Sequence, residues 1–137
     1  MNEGPSAPRP QISEANAPFY EAAASGEFVL QRCEQCRRWI YYPRMLCPYC
    51  LSERVAWTPA AGRGELHSYS IVYHPAHPYF NDKIPIILAA VRLAEGPIMV
   101  ASMTGDISRL RIGAPAHVTF DLRVDGVTIP RFKLDDE

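Results

Sequence analysis

The stretch CEQCRRWIYYPRMLCPYC, from Cys33 to Cys50, decides how this chain folds. Taken alone, its last four residues suit thiol–disulfide exchange, and Thr128-Ile129-Pro130 is a segment of the type that redox folds set opposite such a pair. A redox CxxC, however, opens a helix within a βαβ unit, where the helix N-terminus lowers the thiol pKa. Here only Leu51 to Thr58 separates Cys50 from Pro59, and Val55, Trp57 and Thr58 favour a strand. No βαβ alternation occurs anywhere along the chain. Instead, two CxxC pairs stand ten residues apart, a spacing that sets two knuckles face to face on a short β-ribbon. Four thiolates close a tetrahedral Zn2+ shell and leave no position open for substrate. Cys33, Cys36, Cys47 and Cys50 are therefore expected to hold one structural zinc ion, stapling a module too small to build its own core. Knuckles of this type often carry Gly just after the second cysteine, where φ is positive; Arg37 and Leu51 stand there instead.

Outward from the cysteines, NAPFYEAAASG reads as a short helix, with Asn16 placed to cap it, Pro18 early and Gly26 at its end. Pro5, Pro8 and Pro10 mark residues 1–15 as a flexible arm. The runs EFVLQRC, RWIYYP and VAW are short strands around the cysteine pairs. Beyond Gly62 the strands lengthen: ELHSYSIVYH, IPIILAAVRL, PIMVASM, AHVTFDLRV and VTIPRFKL, the last two joined by the hairpin signal Asp125-Gly126. Five strands without a convincing helix suit an OB-like barrel, although DISRLRIG is too short for the helix that usually separates the third and fourth strands. The expected fold is thus mainly β. An N-terminal helix and a rubredoxin-like zinc ribbon over residues 16–61 precede a five-stranded OB-fold domain over residues 62–137.

A chain of 137 residues, 47% hydrophobic and 21% charged, has room for these two modules and not for a large enzyme. The first residues contain no apolar h-region, and the longest apolar stretch, Ile84 to Val91, is broken by Pro85 and too short to span a bilayer. The chain is expected to be cytoplasmic, where four cysteines serve metal binding or redox chemistry more readily than structural disulfides. Net charge is −1 but uneven: residues 27–63 carry six arginines against three glutamates, while residues 64–137 carry seven basic and nine acidic groups.

The order of motifs goes further. GEFVLQRCEQCRRWIYYPRMLCPYC, GRGELHSYSIVYH, PIILAAVRLAEG, Ile112-Gly113 and Pro130-Arg131-Phe132 together resemble a family of zinc-ribbon/OB-fold proteins associated with acyl-CoA. The resemblance runs from Asn16 to Phe132. Its most specific parts are the cysteine pairs, Pro43-Arg44 between them and Gly62-Arg63-Gly64 at the entry to the barrel. It implies a small, non-catalytic subunit of a hetero-oligomer, accompanying a thiolase-fold enzyme: a thiolase, an acyltransferase or a retro-aldolase. The partner then holds the reactive side chain, and this chain shapes the complex and the CoA-ester site.

Three other features bear on function. Arg37, Arg38 and Arg44 are candidates to hold the phosphates of a CoA ester, since guanidinium forks suit them; a solvated basic face is the plainer account. The loop YHPAHPYFND, Tyr73 to Asp82, carries His74, His77, Tyr79 and Phe80 as candidate partner contacts. A histidine of this loop acting as general base would make the chain a free-standing acyl-CoA thioesterase or hydratase. Finally, His67, Tyr69, Ile71 and Tyr73 alternate onto one strand face, where bases could stack as on nucleic-acid-binding OB barrels. The isoelectric point near 6.4 and the acidic barrel segment argue against nucleic acid.

Overall fold

The computed structural model describes residues 8–135, so the first part of the predicted arm lies outside the described residues. Helix α1 (Ala17–Ala24) is followed by β1 (Val29–Cys33), β2 (Trp39–Ile40) and β3 (Val55–Pro59), which form an antiparallel sheet in the order β2-β1-β3. Five longer strands follow: β4 (Arg63–Val72), β5 (Ile86–Leu93), β6 (Ile98–Thr104), β7 (Pro115–Val124) and β8 (Val127–Leu134). They close into a barrel in the order β4-β5-β6-β8-β7, with β4 returning to β7. All ladders are antiparallel except the short parallel contact that sets Met103 opposite Phe132 and Thr104 opposite Lys133. The mainly-β, ribbon-plus-OB architecture expected from the sequence is present.

Asn16 occupies the N-cap position of α1, but its side chain does not cap the helix. Its Oδ1 accepts the Ser13 N–H at 2.7 Å, and its Nδ2 donates to the Gln11 carbonyl and the Tyr42 hydroxyl. The residue is nearly fully buried, so each of these bonds satisfies a group that water cannot reach. Phe19 and Ala23 are the buried face of the helix. Phe19 meets Phe28, Tyr20 and Tyr41 in edge or tilted contacts and joins the barrel's own core.

That core is formed by alternate residues of the strands. In β5, Ile87, Ala89, Val91 and Leu93 are buried while Leu88 and Arg92 are exposed. They pack with Leu66, Met99, Met103, Ala116 and Phe132, and the cluster extends through Phe28 and Leu30 into the ribbon sheet. Helix, ribbon base and barrel therefore share one core. The junction GRG is explained by this packing. Gly62 has φ +72, and a Cβ on Gly64 would sit 2.2 Å from the Arg92 carbonyl oxygen. Asp125 and Gly126 both have positive φ, as a two-residue type I′ hairpin requires. Between β6 and β7 there is only a 3-10 turn, Ile107–Arg109, in place of a helix.

Candidate metal centre and barrel cavity

The two CxxC segments fold as matched knuckles. Cys33 N–H donates to the Arg38 carbonyl at 3.0 Å, and Cys47 N–H donates to the Ser52 carbonyl at 3.0 Å. The Arg37 N–H closes back on the Cys33 carbonyl, and the Leu51 N–H on the Cys47 carbonyl, at 3.0 and 2.9 Å. Each turn then needs a left-handed residue, and Arg37 (φ 68) and Leu51 (φ 65) supply it without being glycine. Main-chain N–H groups of Gln35 and Cys36 point at Cys33 Sγ, and that of Tyr49 at Cys47 Sγ, each at 3.4 Å.

The result is four sulfur atoms within 4.8 Å of one another. Cys33 and Cys50 lie 3.5 Å apart and Cys36 and Cys47 3.6 Å apart. A tetrahedral ion with Zn–S bonds of about 2.3 Å places its sulfurs about 3.8 Å from each other, so the cluster matches a Zn(Cys)4 shell. The thiols show the same fitness electrostatically. N–H donation from Cys36, against burial and helped by Gln35, holds the Cys33 thiol down at about 6. At Cys47 burial pushes upward, but the N–H groups of Tyr49 and Cys50 carry the net shift down. At Cys50 the Ser52 N–H pulls down, but burial and the facing sulfurs push the thiol up to about 11. Sulfurs this close cannot all ionise unaided, and a dication at their centre removes that conflict.

Gln31 supports the centre and was not singled out from the sequence. Buried in β1, it clamps the loop between the knuckles: its Nε2 donates to the Arg44 carbonyl and its Oε1 accepts the Arg44 N–H, both at 2.7 Å. An uncharged polar residue in the short strand that leads into the first cysteine pair was the available signal. Arg37, Arg38 and Arg44 are all exposed on the ribbon. Arg38 lies over the Tyr49 ring at 4.7 Å, and the Arg37 carbonyl accepts from Arg32 Nε. None of the three lines the cavity described next.

The loop from Tyr73 to Asp82 folds back as a wall. A 3-10 turn, Pro78–Phe80, starts at His77, whose Nδ1 accepts the Tyr79 N–H at 3.0 Å. That bond engages the Nδ1 lone pair of His77 in fixing the turn. His74 is exposed on the same loop and does not line the cavity. Tyr79 and Phe80 stack edge to face with ring centroids 5.1 Å apart, and both are half-buried. With Pro8, the end of β4, β5, the end of β6 and the β7–β8 hairpin they line an open-sided cavity of about 840 Å3. The near-continuous apolar run of IPIILAAVRL is the sequence trace of this cavity: Ile87 and Ala89 belong to the core, and Ile86, Ile87 and Leu88 line the cavity.

The face expected to carry His67, Tyr69, Ile71 and Tyr73 is broken by a bulge between Leu66 and Ser68. The extra residue takes His67 out of the alternation, and Tyr69 and Ile71 stand opposite the buried Ala89 and Ile87. A continuous stacking platform on β4 is therefore not formed.

Among the described residues no helix is long and apolar enough to cross a membrane. Comparison with known proteins places this geometry. Residues 21–56 match the model of the ChsH2 rubredoxin-like zinc ribbon domain, and residues 57–121 that of the ChsH2 C-terminal OB-fold domain. A probable enoyl-CoA hydratase alpha subunit of Thermomonospora curvata is 35% identical over 127 residues, 92% of this chain and 39% of that protein. This chain thus spans about two fifths of that relative. A DUF35 domain-containing scaffold protein of Methanothermobacter thermautotrophicus is 29% identical over 91 residues, covering 65% of this chain and 68% of its own. Among solved structures, a chain of the Ltp2-ChsH2(DUF35) aldolase superposes with a TM-score of 0.81 and 34% identity, over 92% of this chain and 98% of that one. On these matches and the cysteine geometry, the chain belongs to the ChsH2-type, or DUF35, family of zinc-ribbon/OB-fold proteins.

Proposed function

We propose that this protein is a non-catalytic accessory subunit of an acyl-CoA enzyme, its zinc structural and its partner a thiolase-fold subunit that performs the chemistry. The observation that carries the proposal is the near-complete superposition on a chain of an aldolase built from two kinds of component. The scaffold designation of the archaeal relatives and the CoA-ester activity named for the Thermomonospora relative support the same role. The chain's own chemistry agrees. All four cysteines converge on one cluster, so none is left as a nucleophile, and a closed tetrahedral site does not activate water. His77, the loop histidine nearest the cavity, has its Nδ1 lone pair engaged.

In this reading, residues 16–61 are the helix and ribbon, residues 62–137 the OB domain, and residues 1–15 an arm. The loop Tyr73 to Asp82, with His74, His77, Tyr79 and Phe80, faces the partner and the CoA-ester channel. Arg37, Arg38 and Arg44 extend from the ribbon toward the phosphates of the coenzyme, each exposed contact contributing ~0.5–1.5 kcal/mol.

Reconstitution tests this. The isolated, zinc-loaded chain should not turn over any acyl-CoA. Mixed with a thiolase-fold subunit from the same cells, it should form a defined hetero-oligomer that processes a CoA ester faster than that subunit alone. The triple variant R37A/R38A/R44A should weaken CoA-ester binding by the assembled complex. Thioester cleavage by the isolated chain, abolished by changing His74 or His77, would overturn the proposal in favour of a free-standing enzyme.

A further inference from the structure

The cavity beside the barrel is built for a ligand of one particular chemistry. Its volume, about 840 Å3, falls within the roughly 300–1,000 Å3 typical of sites that bury a small molecule. Aliphatic side chains of Val72, Ile86, Leu88, Leu122 and Ile129 make up much of its lining, and the Tyr79–Phe80 pair stands against them. That aromatic wall is held in shape by the His77 contact to Tyr79 N–H, before any ligand arrives.

Charge selects further. Among the described residues, two cationic side chains reach the lining, and each already faces a carboxylate. Lys83 Nζ lies 3.0 Å from Asp82 Oδ1 and 4.0 Å from the centre of the Tyr79 ring. Arg131 makes a two-pronged contact with Asp121, at 2.9 and 3.1 Å. A phosphate or free carboxylate would compete with the carboxylates already beside these cations, whereas a neutral apolar group would not. Ser102 and Thr104 add hydroxyls to the lining, suited to a single carbonyl oxygen.

We infer that this cavity binds the apolar acyl portion of a coenzyme A thioester, so that the accessory chain itself holds part of the substrate. The inference rests on the acyl-CoA role proposed above and assigns it a place: the acyl group lies between β5, the β7–β8 hairpin and the Tyr73–Asp82 loop. The coenzyme's phosphates remain outside, since the lining cations among the described residues, Lys83 and Arg131, already face carboxylates.

Calorimetric titration of the full-length, zinc-loaded chain tests this, with dodecanoyl-CoA below its micellar concentration and with CoA as the two probes. One dodecanoyl-CoA per chain should bind at least tenfold tighter than CoA. Leu88→Trp and Val72→Trp, each filling the cavity from a different strand, should each weaken dodecanoyl-CoA at least tenfold while zinc content and thermal midpoint stay unchanged. Equal binding of the two probes, no saturable binding, or binding indifferent to both tryptophans would overturn the inference. So would complete loss of dodecanoyl-CoA binding when the thiolase-fold subunit is added, because the cavity would then be a socket for that partner. Assembly is measured separately. An intact complex without acyl binding removes this inference alone. Acyl binding by a chain that never assembles sustains the cavity and removes the partner reading.

Discussion

At the barrel end, Phe132, Leu66, Leu93 and Val91 are buried to within 2% among ten other buried apolar side chains. At the knuckle end, the buried cluster among the described residues is Cys33, Ile40 and Cys47, with Cys36, Cys50 and Val55 partly covered. Tyr42, Met45, Leu46, Tyr49 and Leu51 nearby are all exposed. The barrel is thus held by removal of apolar surface from water, a cooperative and non-directional term. The knuckles have too little such surface, and four directed metal–sulfur bonds must take its place. The sheet β2-β1-β3 joins the two regimes, its base buried with the barrel through Phe28 and Leu30, its tip committed to the metal.

This contrast can be broken first at the barrel. Phe132→Ala removes the ring at the centre of the core and should cost roughly 3–5 kcal/mol in chemical denaturation. Because α1 shares that core through Phe19, helix and barrel signals should be lost in one transition; two separate transitions would deny the shared core.

Chelation of the zinc, or Cys47→Ser, should act at the other end only. Amides of the knuckles, from Cys33 to Val55, should lose protection from hydrogen exchange, while those of β5 and β7 keep theirs. Barrel amides opening together with the knuckles would show that the metal staples the whole molecule.

The strained turns should give a smaller effect of opposite sign. Leu51 is 72% exposed with φ 65, so Leu51→Gly loses little packing and relieves a left-handed backbone. Relief of about 1 kcal/mol, less the extra freedom glycine has when unfolded, leaves a gain of roughly 0.5 kcal/mol. It should be read as slower zinc release to a competing chelator. Gly64→Ala in the barrel should behave oppositely and destabilise, since its Cβ would meet the Arg92 carbonyl.

Smallest is the pH effect at the cavity rim. Arg131, with help from Thr119, holds the Asp121 carboxyl down at about 2, below the unfolded value of about 3.9. Its contribution is therefore present above about pH 4 and lost as pH falls through about 2. Asp121 is 60% exposed, so Asp121→Asn should cost no more than about 0.5 kcal/mol near neutrality and nothing at the acid end of that window. Paired denaturation curves for the two proteins across pH 2 to pH 5 would show this convergence or its absence.

Local chemistry determined much of this protein without any tertiary information. Two CxxC pairs at ribbon spacing, a DG hairpin and five apolar strands sufficed for the zinc ribbon and the barrel, because each signal acts within a few residues of itself. The glycine-free knuckles were legible too: the residue after each second cysteine has φ near 65° whatever its side chain. What only the folded chain decided depends on residues distant in sequence. Asn16 turned from helix cap to buried bridge once Tyr42 arrived beside it, 26 positions away. A bulge at Leu66/Ser68 removed His67 from its expected face, because the curvature of a closed barrel overrides simple alternation. The cavity required Val72, Leu88 and Ile129 to converge from three strands, and no local pattern encodes that meeting. Spacing can specify a metal site whose ligands lie within 18 residues, whereas a cavity lined from residue 8 to residue 131 exists only when the barrel has closed.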